Sequence, residues 1–174
     1  MTDSIVITAT GALSALGTGK EEHLASLRAG KDGLRHPVHL QTVHAKEILL
    51  GEIDKSNKAL TRMAGLPDDN PGYTRTTLLA MTAMAELMKD TGPCDLLRSE
   101  PFAFINANTV GGMCTVEHMY PDFISEKQTG PFTQYINTLD CAESTEHIAR
   151  HFGVKPLMAT ISTACSSSAN ALIL

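Results

Sequence analysis

Apolar and polar positions alternate in blocks along the chain, and the blocks predict strands separated by helices. Ile5-Val6-Ile7-Thr8-Ala9 is a β-branched run stopped by Gly11, which predicts a strand. Between Gly17 and Gly30, Leu24 and Leu27 recur among Lys20, Glu21 and Glu22, which predicts a helix after a loop. Residues 36–41 read as loop and residues 47–53 alternate weakly as an outer strand. Asp68-Asp69-Asn70-Pro71-Gly72 is a turn cluster with no apolar residue, the point where the chain is expected to flex. Over residues 74–91 the spacing is helical on two faces, Leu78, Met81, Ala85 and Met88 on one and Ala80, Met84 and Leu87 on the other. That helix is expected to be buried on most sides and to stop at Gly92-Pro93. Residues 102–107 predict a short strand, Thr109-Val110-Gly111-Gly112 a glycine turn, and residues 113–124 a helix. Asp140 with Glu143 three positions on forms a capping pattern for a helix that runs to Phe152 and ends at Gly153. Residues 157–163 predict a strand and residues 166–174 the start of a helix. Strands separated by stretches long enough for crossovers argue for an α/β fold with a largely parallel sheet.

Composition narrows the function classes. At 174 residues and 43% hydrophobic, a single domain is the default and a core needs no disulfide or metal to hold it. The net charge of -5 is uneven: residues 1–62 carry 8 basic and 7 acidic groups, residues 63–174 carry 6 and 12. That balance argues against nucleic acid as a partner. No stretch has the roughly 20 apolar residues of a membrane span, and Met1-Thr2-Asp3-Ser4 lacks a signal peptide's basic start, so a cytoplasmic location without membrane partners is expected. Cys94, Cys114, Cys141 and Cys165 form no CxxC pair and are expected to be reduced.

The segment with the most chemistry is Thr163-Ala164-Cys165-Ser166-Ser167-Ser168-Ala169-Asn170, which places a thiol between an apolar strand and a helix of small residues. A cysteine at the start of a helix gains thiolate character from the free N–H groups there, and small neighbours let those groups approach a thioester oxygen. Free cysteine is also among the most buried residue types. The residues alone leave both readings open, a nucleophile and a core thiol.

The chain resembles the β-ketoacyl synthases, the condensing enzymes of fatty-acid and polyketide assembly, over nearly its whole length. The resemblance is carried by Ile5 through Gly17, by Leu27-Arg28-Ala29-Gly30-Lys31-Asp32-Gly33, by the long helix that follows Tyr73-Thr74-Arg75-Thr76, by the turn from Asn106 to Gly112, and most specifically by Thr163-Ala164-Cys165-Ser166-Ser167-Ser168. It implies a thiolase-like fold, residues 1–174 forming the amino-terminal half of a layered αβαβα architecture and ending before the carboxyl-terminal part. It also implies decarboxylative Claisen condensation of an acyl thioester with a malonyl thioester on acyl carrier protein, without a cofactor or metal. Cys165 would be the acyl-accepting nucleophile and, through its backbone N–H, one oxyanion donor; Val110 would line the acyl pocket. A homodimer or a related synthase subunit is the implied partner. A non-catalytic subunit like the family's chain-length factors, or an inactive fragment, is the alternative, and a cysteine at the nucleophile position favours the synthase. Ala9 stands where the family often has glycine, and Asn106-Ala107-Asn108 replaces a glycine-richer turn, departures that bear on acyl-chain length. The family's two catalytic histidines and lysine match none of His23, His36, His39, His44, His118, His147 or His151. Residues 1–174 alone are therefore expected to leave apolar surface uncovered, on the helix containing Leu78 and Met88 or on the helix after Cys165.

Other signals weigh less. His147 and His151 are four apart on a helix but lack the glutamate and third ligand of a zinc motif, and His36, His39 and His44 read as a polar, solvent-exposed loop. Gly111-Gly112 lacks the surrounding pattern of a phosphate cradle, and Thr163 and Ser167 stand where a hydrolase elbow has glycines. Lys55, Lys58 and Arg62 would share one positive face if helical. In the family such residues near the pocket mouth dock the acidic carrier protein.

Overall fold

Two five-residue strands, β3 (Ala103–Ala107) and β4 (Leu157–Ile161), pair in parallel, with Ala103 opposite Leu157 and Ala107 opposite Ile161. Parallel strands cannot be joined by a hairpin. The connection here carries α4 (Met113–Phe123), a long 3₁₀ helix (Pro131–Leu139) and α5 (Cys141–Phe152). The computed structural model describes residues 5–68, 72–91, 102–125, 130–154 and 157–174. Residues 69–71 of the acidic turn cluster, the helix stop at Gly92-Pro93, and Cys94 lie outside the described residues. The chain divides into two compact units, Met1–Asp68 with Met81–Pro93, and Asp69–Ala80 with Cys94–Leu174.

In the first unit, β1 (Leu13–Ser14) and β2 (Gly17–Thr18) form a minimal antiparallel hairpin that leads into α1 (Gly19–Arg28). Ser26 Oγ donates to Leu16 O at 2.7 Å, and Ser14 Oγ lies 2.7 Å from His23 Nε2, so the hairpin is fastened to the helix by side chains. Ser56 caps α2 (Asn57–Met63), its hydroxyl accepting the Ala59 N–H at 3.2 Å. The core of this unit is Leu60, Ala64 and Leu66 with Met81, and Thr82 Oγ1 donates to Leu60 O. These contacts account for the apolar spacing of α3 (Arg75–Thr91), whose first residues belong to the second unit and the remainder to the first.

The loop before α2 is organised by a carboxylate. Glu52 is buried and accepts three successive backbone N–H groups, Val38 at 2.6 Å, His39 at 3.0 Å and Leu40 at 2.6 Å. Burial works against its charge, but these N–H donors and the nearby His39 outweigh it and hold the carboxyl below its ordinary range. Arg35 Nη1 donates to Asp54 Oδ2 at 2.8 Å across the same loop.

Several expectations need correction. Ile5, Val6 and Ile7 form no strand and are exposed, because no strand among the described residues takes up their backbone donors and acceptors. Residues 47–53 reduce to one bridge, Leu50 with Arg35, since Glu52 organises that loop instead of a ladder. The only sheets among the described residues are the parallel pair and the small hairpin. Glu143 does not complete a capping box: Asp140 Oδ1 accepts the Ala142 N–H at 2.9 Å, while Glu143 Oε1 lies 3.0 Å from His147 Nε2. The helix end at Gly153 is borne out, with the left-handed φ of 67° that glycine adopts without penalty. The α3 helix is not an uncovered surface, for Leu78 and Met81 are buried. Leu172, Ile173 and Leu174 after Cys165 are exposed, as expected, and so is a second apolar face, Tyr120 and Phe123 on α4 and Ile124 just after it, with Ile136 and Leu139 on the 3₁₀ helix.

Removing the Glu52 charge tests the loop. Because the folded chain holds this carboxyl below its ordinary range, the stabilisation is complete above that range and is lost as acid protonates it in the fold. Glu52→Gln is expected to cost about 1–3 kcal/mol at neutral pH. The gap from the parent, read by urea denaturation across pH, should begin to narrow as pH falls below the ordinary glutamate value of about 4.3 and go on closing at lower pH.

Candidate active site

Both strands of the parallel pair end at the same edge, and the turns that leave them meet there. Strand β4 gives way at Ser162, two residues earlier than its apolar run suggests, to a single 3₁₀ turn (Ala164–Ser166) and then α6 (Ser167–Ile173). Cys165 sits in that 3₁₀ turn and is exposed. Ala164, immediately before it, has φ of 52°, the one non-glycine residue with positive φ among those described. An L-residue held there carries about 1–2 kcal/mol of strain.

Hydroxyl groups hold that strain in place. Ala164 O accepts from Ser167 Oγ at 2.7 Å and from Thr109 Oγ1 at 3.0 Å. Ser167 Oγ accepts the Thr163 N–H at 2.9 Å, Ser166 Oγ donates to Thr163 O at 2.7 Å, and Asn170 Nδ2 donates to Thr163 Oγ1 at 2.8 Å. The serine run is therefore a fastening of the turn. A trans peptide is planar, with its N–H directed opposite to its C=O. Two hydroxyls on the Ala164 carbonyl thus fix the Cys165 N–H pointing away from Thr109 and Ser167.

Thr109 brings the second turn, residues 109–112, against the first. Val110 stands on it, about half exposed. Gly111 N donates to Asn108 Oδ1 at 3.0 Å, and Gly112 N donates to Thr138 O at 2.5 Å. A Cβ on Gly112 would overlap the side chains of Thr138 and Thr74, so close approach is what requires glycine there. A phosphate cradle is not needed to explain it.

Behind both turns lies a polar layer. Asn106 Nδ2 donates to Ser144 Oγ at 2.9 Å and to Thr145 Oγ1 at 3.0 Å, and Asn108 Nδ2 donates to Ser144 Oγ and to Cys141 O, both at 2.9 Å. Thr145 Oγ1 lies 2.6 Å from Thr160 Oγ1, and Thr160 is the register partner of Asn106. Asn106-Ala107-Asn108 is thus a clamp on the first turns of α5. The sequence signal for it is two asparagines two positions apart at the end of an apolar strand, which puts both on one face.

The other cysteines differ less in setting than their spacing suggests. Cys114 is exposed in the first turn of α4, and Cys141 opens α5 with Sγ 3.6 Å from Ser162 Oγ. A helix start alone does not distinguish Cys165 from these two; what differs is the positive-φ residue before it, whose carbonyl accepts two hydroxyls.

The model of the beta-ketoacyl synthase N-terminal domain matches residues 2–174. The chain belongs to this family. No curated protein matches this ketosynthase domain significantly. The solved structure of the ishigamide ketosynthase/chain length factor superposes with a TM-score of 0.73 at 23% identity, covering 92% of this chain and 40% of that one. The AntDE:AntF complex, a type II PKS acyl-carrier protein with its ketosynthase bound to the hexaketide, superposes with a TM-score of 0.61 at 16% identity, covering 96% of this chain and 45% of that one. The ketosynthase domain therefore has the thiolase-like α/β fold of these proteins and spans less than half the length of either.

The basic stretch is only partly as expected. Lys58 and Arg62 are on α2, whereas Lys55 precedes its Ser56 cap. Arg62 makes a two-pronged bond to Asp68, Nε to Oδ1 at 3.0 Å and Nη2 to Oδ2 at 2.9 Å. That bond raises the guanidinium further and holds the Asp68 carboxyl below its ordinary range. Arg62 is thus neutralised by a partner six residues away. His147 is committed to Glu143, His151 packs edge-on against Phe152 at 4.7 Å, and among the described residues no three His, Cys, Asp or Glu side chains gather as a metal site. Among them, too, no helix is long and apolar enough to cross a membrane. His39 departs from the exposed loop expected of it, with Nε2 buried 3.4 Å from Asp54 Oδ1.

Thr109→Val keeps the shape and removes one of the two hydroxyls on the Ala164 carbonyl. It is expected to cost about 0.5–1.5 kcal/mol of stability. It should also change the alkylation rate of Cys165 relative to Cys114 in the same molecule, with Thr109→Ser restoring the parent ratio. Iodoacetamide labelling with peptide mass mapping reads both.

Proposed function

We propose that this ketosynthase domain accepts an acyl group on Cys165 from a thioester carried by acyl carrier protein, as the first half-reaction of a decarboxylative condensation in fatty-acid or polyketide assembly. The observation that carries the reading is the exposed Cys165 after a left-handed Ala164 whose carbonyl is held by two hydroxyls. In acyl transfer, Cys165 Sγ adds to the thioester carbonyl, the oxyanion takes the Cys165 N–H, the carbon–sulfur bond to the carrier breaks, and the carrier thiol leaves with the proton. A donor fixed in advance by its peptide plane loses no orientation as charge develops. Val110, on the turn that Thr109 ties to the nucleophile, is the acyl-pocket residue of this reading.

Condensation proper needs more. The malonyl partner loses carbon dioxide, and the resulting enolate attacks the acyl-Cys165 carbonyl, regenerating the thiol. The histidines all have contacts of their own: His23 with Ser14 and Gly19, His36 with Ile48 O, His39 with Asp54, His44 with Glu47, His118 with Cys114 O, His147 with Glu143 and His151 with Phe152. The family resemblance places the enolate-handling histidines and lysine in a part that residues 1–174 do not match, so this reading takes those groups from elsewhere, and a second copy or related synthase subunit is the partner expected to cover the apolar faces. The presence of Cys165 favours this synthase reading over a non-catalytic, pocket-shaping subunit.

Carrier docking falls to Lys55 and Lys58, both exposed, with Arg62 bound to Asp68. Two outcomes follow. Incubation with an acyl-carrier thioester should add one acyl group to Cys165 and none in Cys165→Ala, while malonyl thioester is not turned over by the chain alone. The pair Lys55→Glu and Lys58→Glu should weaken carrier binding at least several-fold in low-salt titrations and much less at 0.5 M salt, where screening acts within about 4–5 Å.

A further inference from the structure

A cleft in the first unit contains none of the residues around Cys165. It holds about 650 Å³ and is lined by residues 13–18, by Glu22 and Ser26, by residues 30–35 and by residues 53–55. Ser14 is in its wall. Ser14 Oγ lies 2.7 Å from His23 Nε2, and His23 Nδ1 lies 2.7 Å from Gly19 O. A carbonyl oxygen only accepts, so Nδ1 carries a proton, and Nε2 of the neutral ring is left to accept from the serine hydroxyl. The Leu16 N–H donates to Ser14 Oγ at 3.1 Å and fixes its rotamer. A nucleophilic oxygen, a base within hydrogen-bond reach and a third group orienting that base are the three parts of an activated serine.

We propose that Ser14 and His23 form a second reactive site, a serine–histidine dyad that acylates on small polar carboxylic esters. The ester class follows from the lining: Lys31, Asp32, Arg35 and Asp54 make the cleft wall charged, which suits a short polar acyl group and not a long alkyl chain. In the reaction Ser14 Oγ adds to the ester carbonyl carbon and its proton passes to His23 Nε2. The bond to the leaving oxygen breaks, and the alcohol departs with that proton. Water, deprotonated by the same nitrogen, then releases the acid and regenerates Ser14.

The test uses the full chain in a Cys165→Ala background, which silences the thiol assigned above, so this proposal and the acyl-transfer reading fail separately. A fluorophosphonate probe is expected to form one Ser14 adduct, the oxygen–phosphorus bond replacing phosphorus–fluorine with loss of fluoride, and p-nitrophenyl acetate to release a burst of one equivalent of nitrophenolate. Ser14→Ala should abolish both, and His23→Gln should slow the adduct at least tenfold. Circular dichroism checks that each variant is folded; if His23→Gln is not, Ser14→Thr serves as the second variant, expected to keep the hydrogen bond but slow the burst. No Ser14 adduct in the parent, or labelling in folded His23→Gln at the parent rate, would overturn the dyad and leave the hydrogen bond as a brace between hairpin and helix.

Discussion

The geometry around Cys165 depends on a polar contact between one helix and two strand ends. Asn106 and Asn108 grip the hydroxyls and carbonyl of the first turn of α5, and Thr160 reaches the same helix from the neighbouring strand. Apolar packing would place α5 over the sheet but would tolerate sliding along it. Directed hydrogen bonds between groups largely shielded from water do not, because a slip of one position leaves several of them unpaired. With α5 fixed at the strand ends, the chain that leaves β3 and the chain that leaves β4 emerge at a set separation, and Thr109 can reach Ala164.

The same layer explains why the family's glycine-richer turn can be replaced here. Glycines allow a tight turn by conformational freedom, whereas Asn108 reaches a comparable end by supplying an acceptor to the Gly111 N–H and donors to α5. Two glycines remain where no side chain fits, Gly111 with φ of 50° against the Thr138 carbonyl and Gly112 against the side chains of Thr138 and Thr74. Conformational permission and side-chain hydrogen bonding are two routes to one backbone path.

Much of this was legible in the sequence because it depends on local pattern. The helices α3, α4 and α5, both strands of the parallel pair and the Gly153 end follow from periodicity, capping and punctuation, and Cys165 between strand and helix follows from its motif. What was not legible depends on partners distant in sequence. Ile5, Val6 and Ile7 have the composition of a strand but no pairing neighbour among the described residues, and no periodicity reports that. Residues 47–53 alternate like a strand, yet the buried Glu52 turns them into the anchor of a loop by binding N–H groups 12 to 14 positions earlier. Arg62 looked like part of a positive face until Asp68 closed on it. The 3₁₀ helix from Pro131 to Leu139 has an apolar face but a three-residue turn, and a search at helical or strand period passes over it.

The bond from Thr109 to the Ala164 carbonyl makes two turns into one mechanical part. Val110 rides on the first and Cys165 on the second, so a displacement of either side chain's backbone is shared by the other through a single 3.0 Å link. Under the proposed acyl transfer, the turn that carries Val110 and the turn that carries the sulfur would therefore be set against each other before any acyl group arrives.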